Sequence, residues 1–138
     1  MQQSAISPNS TVILIDESLA DKALAIALSA VDYNAIASTV QLGSGALDPT
    51  IIQWLGFQGG LWVTADFDSK RKHADAIKNA SINILWIERP KNGGFPKRSQ
   101  PRLVISVIDP VLNEIAKSRC TCFFIAKFNG DKPKCIRI

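Results

Sequence analysis

The chain has 138 residues, of which 46% are hydrophobic and 20% charged, a composition typical of one globular domain. No apolar run reaches the roughly 18 residues of a membrane span, and residues 1–8 lack the basic and apolar regions of a secretory signal. We therefore expect residues 1–138 to form a single cytoplasmic domain without a membrane partner.

The first half of the chain predicts strands and helices in alternation. Residues 1–10 are polar and are expected to form a flexible arm. The apolar run at 11–15 is typical of a strand that is buried on both faces. Apolar residues at helical spacing predict a helix over 19–31, and residues 34–37 are a candidate second strand.

The middle of the chain continues this alternation. Asp48, followed by a proline, is expected to cap a helix, which should end at the glycines 59–60. Three further elements are predicted, namely a strand at Leu61–Thr64, a polar helix over 69–80 and a fourth strand over 82–87.

The last third begins with a basic loop that is rich in glycine and proline, at 88–101. Residues 102–118 predict a helix kinked at Pro110. A fifth strand is expected at 121–128, and residues 134–138 are expected to return as its hairpin partner. The alternation as a whole predicts an α/β fold, with a doubly wound, mostly parallel sheet of about five strands.

Acidic residues stand where these strands and helices meet. Asp16 closes the first apolar run, Asp66 and Asp68 follow the third strand, and Asp48 opens a helix. The carboxyl ends of parallel strands share one edge of a sheet, so these acids are expected to converge there. Such a cluster is suited to a hard divalent cation such as Mg²⁺ or Mn²⁺. The simpler interpretation is that each acid caps a helix or forms a turn.

The net charge of +4 arises from basic residues close to these acids. Together they predict a rim that contacts an RNA backbone, whereas the simpler interpretation is a solvated surface. The candidate RNA-binding residues are Lys70, Arg71, Lys72, Arg89, Lys97, Arg98 and Arg102.

Several common site motifs are absent from the sequence. There is no glycine-rich dinucleotide fingerprint after the first strand, no P-loop and no Gly-x-Ser-x-Gly nucleophile elbow. His73, the single histidine, is therefore interpreted as a surface residue of a basic helix.

Three segments together resemble PIN-like domains, a family that includes the toxin nucleases of bacterial toxin–antitoxin modules. Residues 13–19, Ile-Leu-Ile-Asp-Glu-Ser-Leu, are similar to its opening strand and Asp-Glu-Asn-Leu turn. Residues 45–54 resemble its Asp-x-x-Ile helix start, and residues 61–68 its Thr-x-Asp-x-Asp strand end. The resemblance covers residues 11–88. It departs from the family at Ser18, where asparagine is usual, and at Ser69, where an aromatic residue is common.

The resemblance implies a small metal-dependent ribonuclease, the toxin of a toxin–antitoxin pair, with RNA as substrate and an antitoxin protein as partner. Asp16, Asp48, Asp66 and Asp68 would then be catalytic and would hold Mg²⁺ or Mn²⁺. Glu17 would either orient this site or act as a first-turn helix acid, which we favour. Whether the protein forms a homodimer is left open.

Two other functions compete with the nuclease. A phosphoacceptor receiver domain would use the acid pair Asp16-Glu17 together with Asp66 and Lys127. The Ser or Thr that it needs after the fourth strand is absent at 87–90. A non-catalytic partner-binding module would expose an apolar surface. The candidates for that surface are Trp54, Phe57, Trp62 and the stretch 103–108.

Overall fold

A computed structural model describes residues 11–66, 72–90, 94–118 and 120–138. The expected arm at 1–10 therefore lies outside the described residues, as do Asp68, Lys70 and Arg71. The strands are β1 (Ile13–Ile15), β2 (Ala35–Ala37), β3 (Leu61–Thr64), β4 (Asn83–Ile87), β5 (Phe123–Asn129) and β6 (Lys132–Arg137). The helices are α1 (Asp21–Ser29), α2 (Ser38–Gln41), α3 (Asp48–Gln58), α4 (Ala74–Asn79) and α5 (Ser99–Lys117).

Within the part of the chain that the structure describes, the strands form one six-stranded sheet in the order β2-β1-β3-β4-β5-β6. The first five strands are parallel to their neighbours, and β6 runs antiparallel to β5 as its hairpin partner. The α/β fold and the mostly parallel sheet are thus confirmed. The sheet contains the five expected strands, and the expected C-terminal hairpin partner adds β6 as the sixth.

The core consists of two clusters that divide the residues of β1 between them. Ile13 and Ile15 belong to a cluster with buried residues of α1 and α5, and Leu14 belongs to a cluster with residues of α3 and α4. Because successive side chains of a strand point to opposite faces, β1 is buried on both sides. All three of its residues are fully buried, as the continuous apolar run predicts.

The basic loop is shorter than predicted, because α5 begins at Ser99 and includes residues 99–101. Pro101 lies in the first turn of α5, where proline is tolerated because its missing N–H has no partner in the helix. Pro110 lies inside α5, as expected.

Most of the candidate partner surface is core. Trp62 is fully buried and Trp54 packs against the second cluster, while α5 buries its residues Leu103, Val104, Val107 and Ile108. Phe57 and Ile105 are the exceptions, since they are 84% and 40% exposed.

Candidate functional site

The strand order reverses direction at β1, beside Asp16 and Asp66. The chain passes from β1 outward to β2, and then places β3, β4 and β5 on the other side of β1. In open parallel sheets, the crevice outside the carboxyl ends of the strands at such a reversal is the usual ligand site. Asp16 directly follows β1, and Asp66 lies two residues beyond the end of β3. The Asp16 N–H donates to the carbonyl of Val63, at 2.9 Å, so the two strand ends are joined.

Asp16 is 93% buried and is held by two side-chain hydrogen bonds. Its Oδ2 accepts from the Ser18 N–H at 3.0 Å, and its Oδ1 accepts from Trp62 Nε1 at 3.3 Å. The first bond shows that Asp16 does form a turn, as the simpler interpretation expects. A carboxylate oxygen accepts two hydrogen bonds, however, so this role leaves acceptor capacity at both oxygens.

A hydroxyl pair ties the end of β3 to the turn after β1. Thr64 is fully buried, and its Oγ1 accepts from the Asp66 N–H at 3.1 Å and lies 3.4 Å from Ser18 Oγ. Ser18 Oγ also accepts from the Ala65 N–H, at 3.0 Å. These bonds hold the backbone of Asp66 against the Asp16 turn. Sequence reasoning treated Ser18 only as a departure from the family and missed this contact, although Thr64 ends β3 and Ser18 lies in the turn after β1.

Asp48 shares this electrostatic environment. Burial raises the pKa of the Asp48 carboxyl above its usual range, and the negative charges of Asp66 and Asp16 raise it further, while His73 and Lys72 oppose the rise. The three acids are therefore close enough to repel one another. The prediction that Asp48 caps α3 is wrong. It is the first residue of the helix and Leu47 is the N-cap, with no side-chain capping bond among the described residues.

His73, which was interpreted as a surface residue of a basic helix, lies next to Asp48. It precedes α4, its side chain is 25% exposed, and its Nε2 lies 3.6 Å from Asp48 Oδ2. Its position immediately after a run of basic residues gave no sequence signal for this pairing.

Glu17 is not a first-turn acid, because α1 begins only at Asp21. Its Oε1 instead accepts from the Gly45 N–H, at 2.7 Å. Gly45 belongs to the loop that leads into α3, so Glu17 links the Asp16 turn to the segment that carries Asp48. This agrees with the alternative in which Glu17 orients the site.

The described acids do not form a closed metal cage. Across residues 11–66, 72–90, 94–118 and 120–138, no group of three or more His, Cys, Asp or Glu side chains is arranged to hold a metal ion. Asp68, the fourth expected ligand, lies outside the described residues. Asp16 and Asp66 therefore act electrostatically on Asp48, but the three described acids do not form a set of metal ligands.

The predicted basic rim divides into residues near the crevice and residues away from it. Arg89 donates to the Ser18 carbonyl, Lys72 acts on the pKa of Asp48, and Lys97 lines a cavity together with Glu17. Arg98 is the N-cap residue of α5.

Arg102 is used in the C-terminal hairpin. Its guanidinium lies 4.8 Å from the centre of the Phe128 ring and donates to the carbonyl of Asp131, at 2.9 Å. Lys70 and Arg71 lie outside the described residues.

Comparison of the sequence with models of known protein families and with curated proteins, and of the chain with solved structures, gave no match. In the described ranges, none of the helices has the length and apolar character needed to cross a bilayer.

Proposed function

We propose that this chain is a PIN-like, metal-dependent ribonuclease that hydrolyses RNA phosphodiesters at the crevice between the ends of β1 and β3. The observation that carries the proposal is the meeting of Asp16, Asp48 and Asp66, which come from three separate segments. Burial and the negative charges of Asp66 and Asp16 raise the pKa of Asp48, although His73 and Lys72 oppose the rise. The two core clusters, which divide the residues of β1, support a doubly wound sheet.

The donor set fits Mg²⁺ or Mn²⁺ by its chemistry, because carboxylate oxygens are the ligands that these ions prefer. Mg²⁺ keeps several waters and is usually bound by one or two carboxylates together with substrate phosphates, rather than by a closed protein cage. The open arrangement of the described acids suits this mode. Asp16 and Asp66 would hold the ion, with Asp48 beside them and Asp68 as a further candidate.

The bound ion would supply a hydroxide near neutral pH and neutralise charge on the phosphoryl oxygens. The chain's own residues orient the acids and attract the substrate. Trp62 Nε1 and the Ser18 N–H fix the carboxylate of Asp16. His73 lies against Asp48. Arg89 brings a positive charge to the rim of the crevice, where it would attract the phosphates of an RNA strand.

The assignment as the toxin of a toxin–antitoxin pair, with an antitoxin partner, rests on the resemblance of residues 13–19, 45–54 and 61–68 to toxin nucleases. Fold-level likeness does not fix function, so this part is tested separately. Expression of the wild-type chain should arrest bacterial growth, and expression of Asp16→Asn should not. Equal growth with both would remove the toxin role without affecting the nuclease.

RNA hydrolysis tests the nuclease directly. Purified protein should cleave RNA only with Mg²⁺ or Mn²⁺, and Asp16→Asn and Asp66→Asn should each lower the rate by orders of magnitude with the fold intact. Asp75→Asn is the matched control, because it removes an exposed acid of α4 and should leave the rate unchanged. Full activity in excess EDTA would exclude the mechanism.

The basic rim is tested by the salt dependence of RNA binding. Binding of single-stranded RNA should weaken linearly in log salt, with a slope near −0.7 for each phosphate contact. The double variant Lys72→Ala/Arg89→Ala should therefore reduce the slope by up to about 1.4. Lys78→Ala/Lys117→Ala removes the same charge from exposed positions on α4 and α5 and serves as the control. Equal slopes for both double variants would show that the rim is only a solvated surface.

A receiver domain is the second candidate, because its strand order matches the first five strands, β2-β1-β3-β4-β5. The residues agree less well. Lys127, which would have to reach the phosphoacceptor, pairs with Glu88 at 3.5 Å. Transfer of phosphate from a small phosphodonor to Asp66, with no RNA hydrolysis, would favour this alternative.

A further inference from the structure

One face of the β5–β6 hairpin is open to solvent in the part of the chain that the structure describes. Ala126 belongs to the core cluster with α5, whereas its neighbour Ile125 packs toward the cluster with α3 and α4. Ile136 is directly opposite Ile125, so it lies on the same face. The Ile138 N–H donates to the Phe123 carbonyl at 2.8 Å, which extends the pairing by one step. We call this surface the open face, and its residues are Phe123, Ile125, Lys127, Asn129, Lys132, Lys134, Ile136 and Ile138.

The apolar half of the open face lies at the start of β5. Ile136 and Ile138 are 50% and 47% exposed, while Phe123 and Ile125 are partly buried. A groove of about 270 Å³ between β5 and α4 continues this surface, and its lining includes Ile77. The solvated face of an antiparallel strand pair is usually polar. An exposed apolar block at this position therefore marks a contact surface.

The basic half of the open face lies next to the hairpin turn. It carries the exposed residues Lys127, Lys132 and Lys134 and no acid. Lys127 pairs with Glu88 at 3.5 Å, whereas Lys132 and Lys134 form no ion pair with any residue in the described ranges. Asp131 in the turn reduces this positive charge but does not remove it. The open face is therefore complementary to a partner that is apolar at one end and acidic at the other.

The shape of the open face suits a helix. α5 packs on the opposite face of β5 and β6, and sheets of α/β folds are commonly covered by helices on both faces. The seven residues of β5 give the open face a length of about 20 Å. A helix of about 13 residues has the same length.

We propose that the open face docks an amphipathic helix of a partner protein, whose apolar stripe covers the apolar half and whose acidic end meets the basic half. A single RNA strand fits less well, because isoleucine side chains offer no ring on which bases could stack. A second copy of the chain also fits less well, because in a two-fold contact each lysine would face another lysine or the apolar half. The inference stands apart from the proposed nuclease, since no residue of the acidic crevice lies on the open face.

Two synthetic peptides test the open face directly. Each has about 18 residues, enough for partial helix formation in isolation, and carries leucines at helical spacing. One peptide has glutamates at one end, and the other has lysines in their place. With ¹⁵N-labelled protein, the acidic peptide should shift the amide resonances of Ile125, Lys134 and Ile136 and leave that of Asp16 unchanged. It should bind about tenfold more tightly than the basic peptide.

Two variants separate the apolar and the charged contribution. Ile136→Thr should weaken binding of the acidic peptide about tenfold, because it removes apolar area while the β-branched threonine maintains the strand. Ile26→Thr is the control and should bind as wild type does, since Ile26 is 71% exposed on α1, which packs on the opposite face of the sheet. Lys132→Glu/Lys134→Glu should reverse the preference, so that the basic peptide binds more tightly.

Each of the following results would overturn the proposal. One is the absence of binding by the acidic peptide, or equal binding of the two peptides. Another is an oligouridine that shifts the same amide resonances where the acidic peptide does not, which would identify RNA as the occupant. The last is a dimer in sedimentation that dissociates in Ile136→Thr but not in Ile26→Thr, which would identify a second copy of the chain.

Discussion

Replacing Thr64 with valine should loosen the crevice while keeping the shape of the core. Thr64 is fully buried at the end of β3, and its Oγ1 accepts from the Asp66 N–H at 3.1 Å. Valine has nearly the same volume but no hydroxyl. The variant therefore removes the acceptor of Asp66 and the contact with Ser18 Oγ, and leaves the packing of β3 otherwise unchanged.

The size of the effect follows from two opposing terms. Leaving a partly buried backbone N–H without a partner costs about 1–3 kcal/mol. Burying a methyl group in place of a hydroxyl stabilises the folded state by up to about 0.8 kcal/mol. Ser18 Oγ keeps its bond from the Ala65 N–H, so it adds little. The free energy of unfolding should fall by about 1–2 kcal/mol.

Urea unfolding measures this loss as a lower midpoint with an unchanged m-value. Thr50→Val is the control, because Thr50 is exposed on α3 and its replacement should stay within about 0.5 kcal/mol of wild type. In addition, the pKa of Asp48 should move toward its usual range as Asp66 loses its anchor. If Thr64→Val is no less stable than Thr50→Val, the hydroxyl pair does not hold the site together.

Two further variants test the packing and the charge of the site. Gly60→Ala should destabilise the fold by about 1–3 kcal/mol in thermal or urea unfolding, because its Cβ would lie 2.5 Å from the Val12 carbonyl oxygen. Gly59→Ala is the control, because Gly59 has open space around it and a φ of 61°, so alanine there should cost only about 1–2 kcal/mol for its left-handed backbone. If Gly60→Ala destabilises the fold no more than Gly59→Ala does, the proposed clash is contradicted. Because the pKa of Asp48 is raised, the folded state binds the proton of this carboxyl more tightly than the unfolded state does. The protonated carboxyl therefore stabilises the fold below the usual carboxyl pKa. This stabilisation is lost as the pH rises through the pKa of Asp48 in the folded state. Asp48→Asn should therefore be more stable than wild type in EDTA at neutral pH, with a difference that shrinks as pH falls toward 4, and a variant less stable at every pH would refute this.

The sequence predicted the sheet well because its strands are short, continuous apolar runs that are bounded by glycines or acidic residues. Leu61–Thr64 is predicted to the residue, since glycines precede it and acids follow it. The start of α5 was missed because Pro101 reads as a loop residue, although a first helical turn accepts it. Asp48 was taken for a cap because Asp-Pro is a common helix start, yet the cap position falls one residue earlier.

Only the part of the candidate site that depends on the direction of the strands could be predicted from the sequence. Asp16 and Asp66 were placed at one sheet edge because each follows a parallel strand, and that inference needs no knowledge of side-chain packing. The pairing of His73 with Asp48 and the burial of Asp21 against Thr39 depend on how helices and loops pack in three dimensions. No spacing in the sequence encodes those contacts.

The position of β1 in the sheet also has a consequence for synthesis of the chain. β1 is made before β3, with which it pairs, and the bond between Asp16 and Trp62 spans 46 residues. Contacts between distant segments form late in folding because loop closure must precede them. A nascent chain that has not yet released residue 66 from the ribosome therefore has no carboxylate crevice. Under the proposed nuclease function, this delay would keep the growing chain inert beside the messenger and ribosomal RNA from which it emerges.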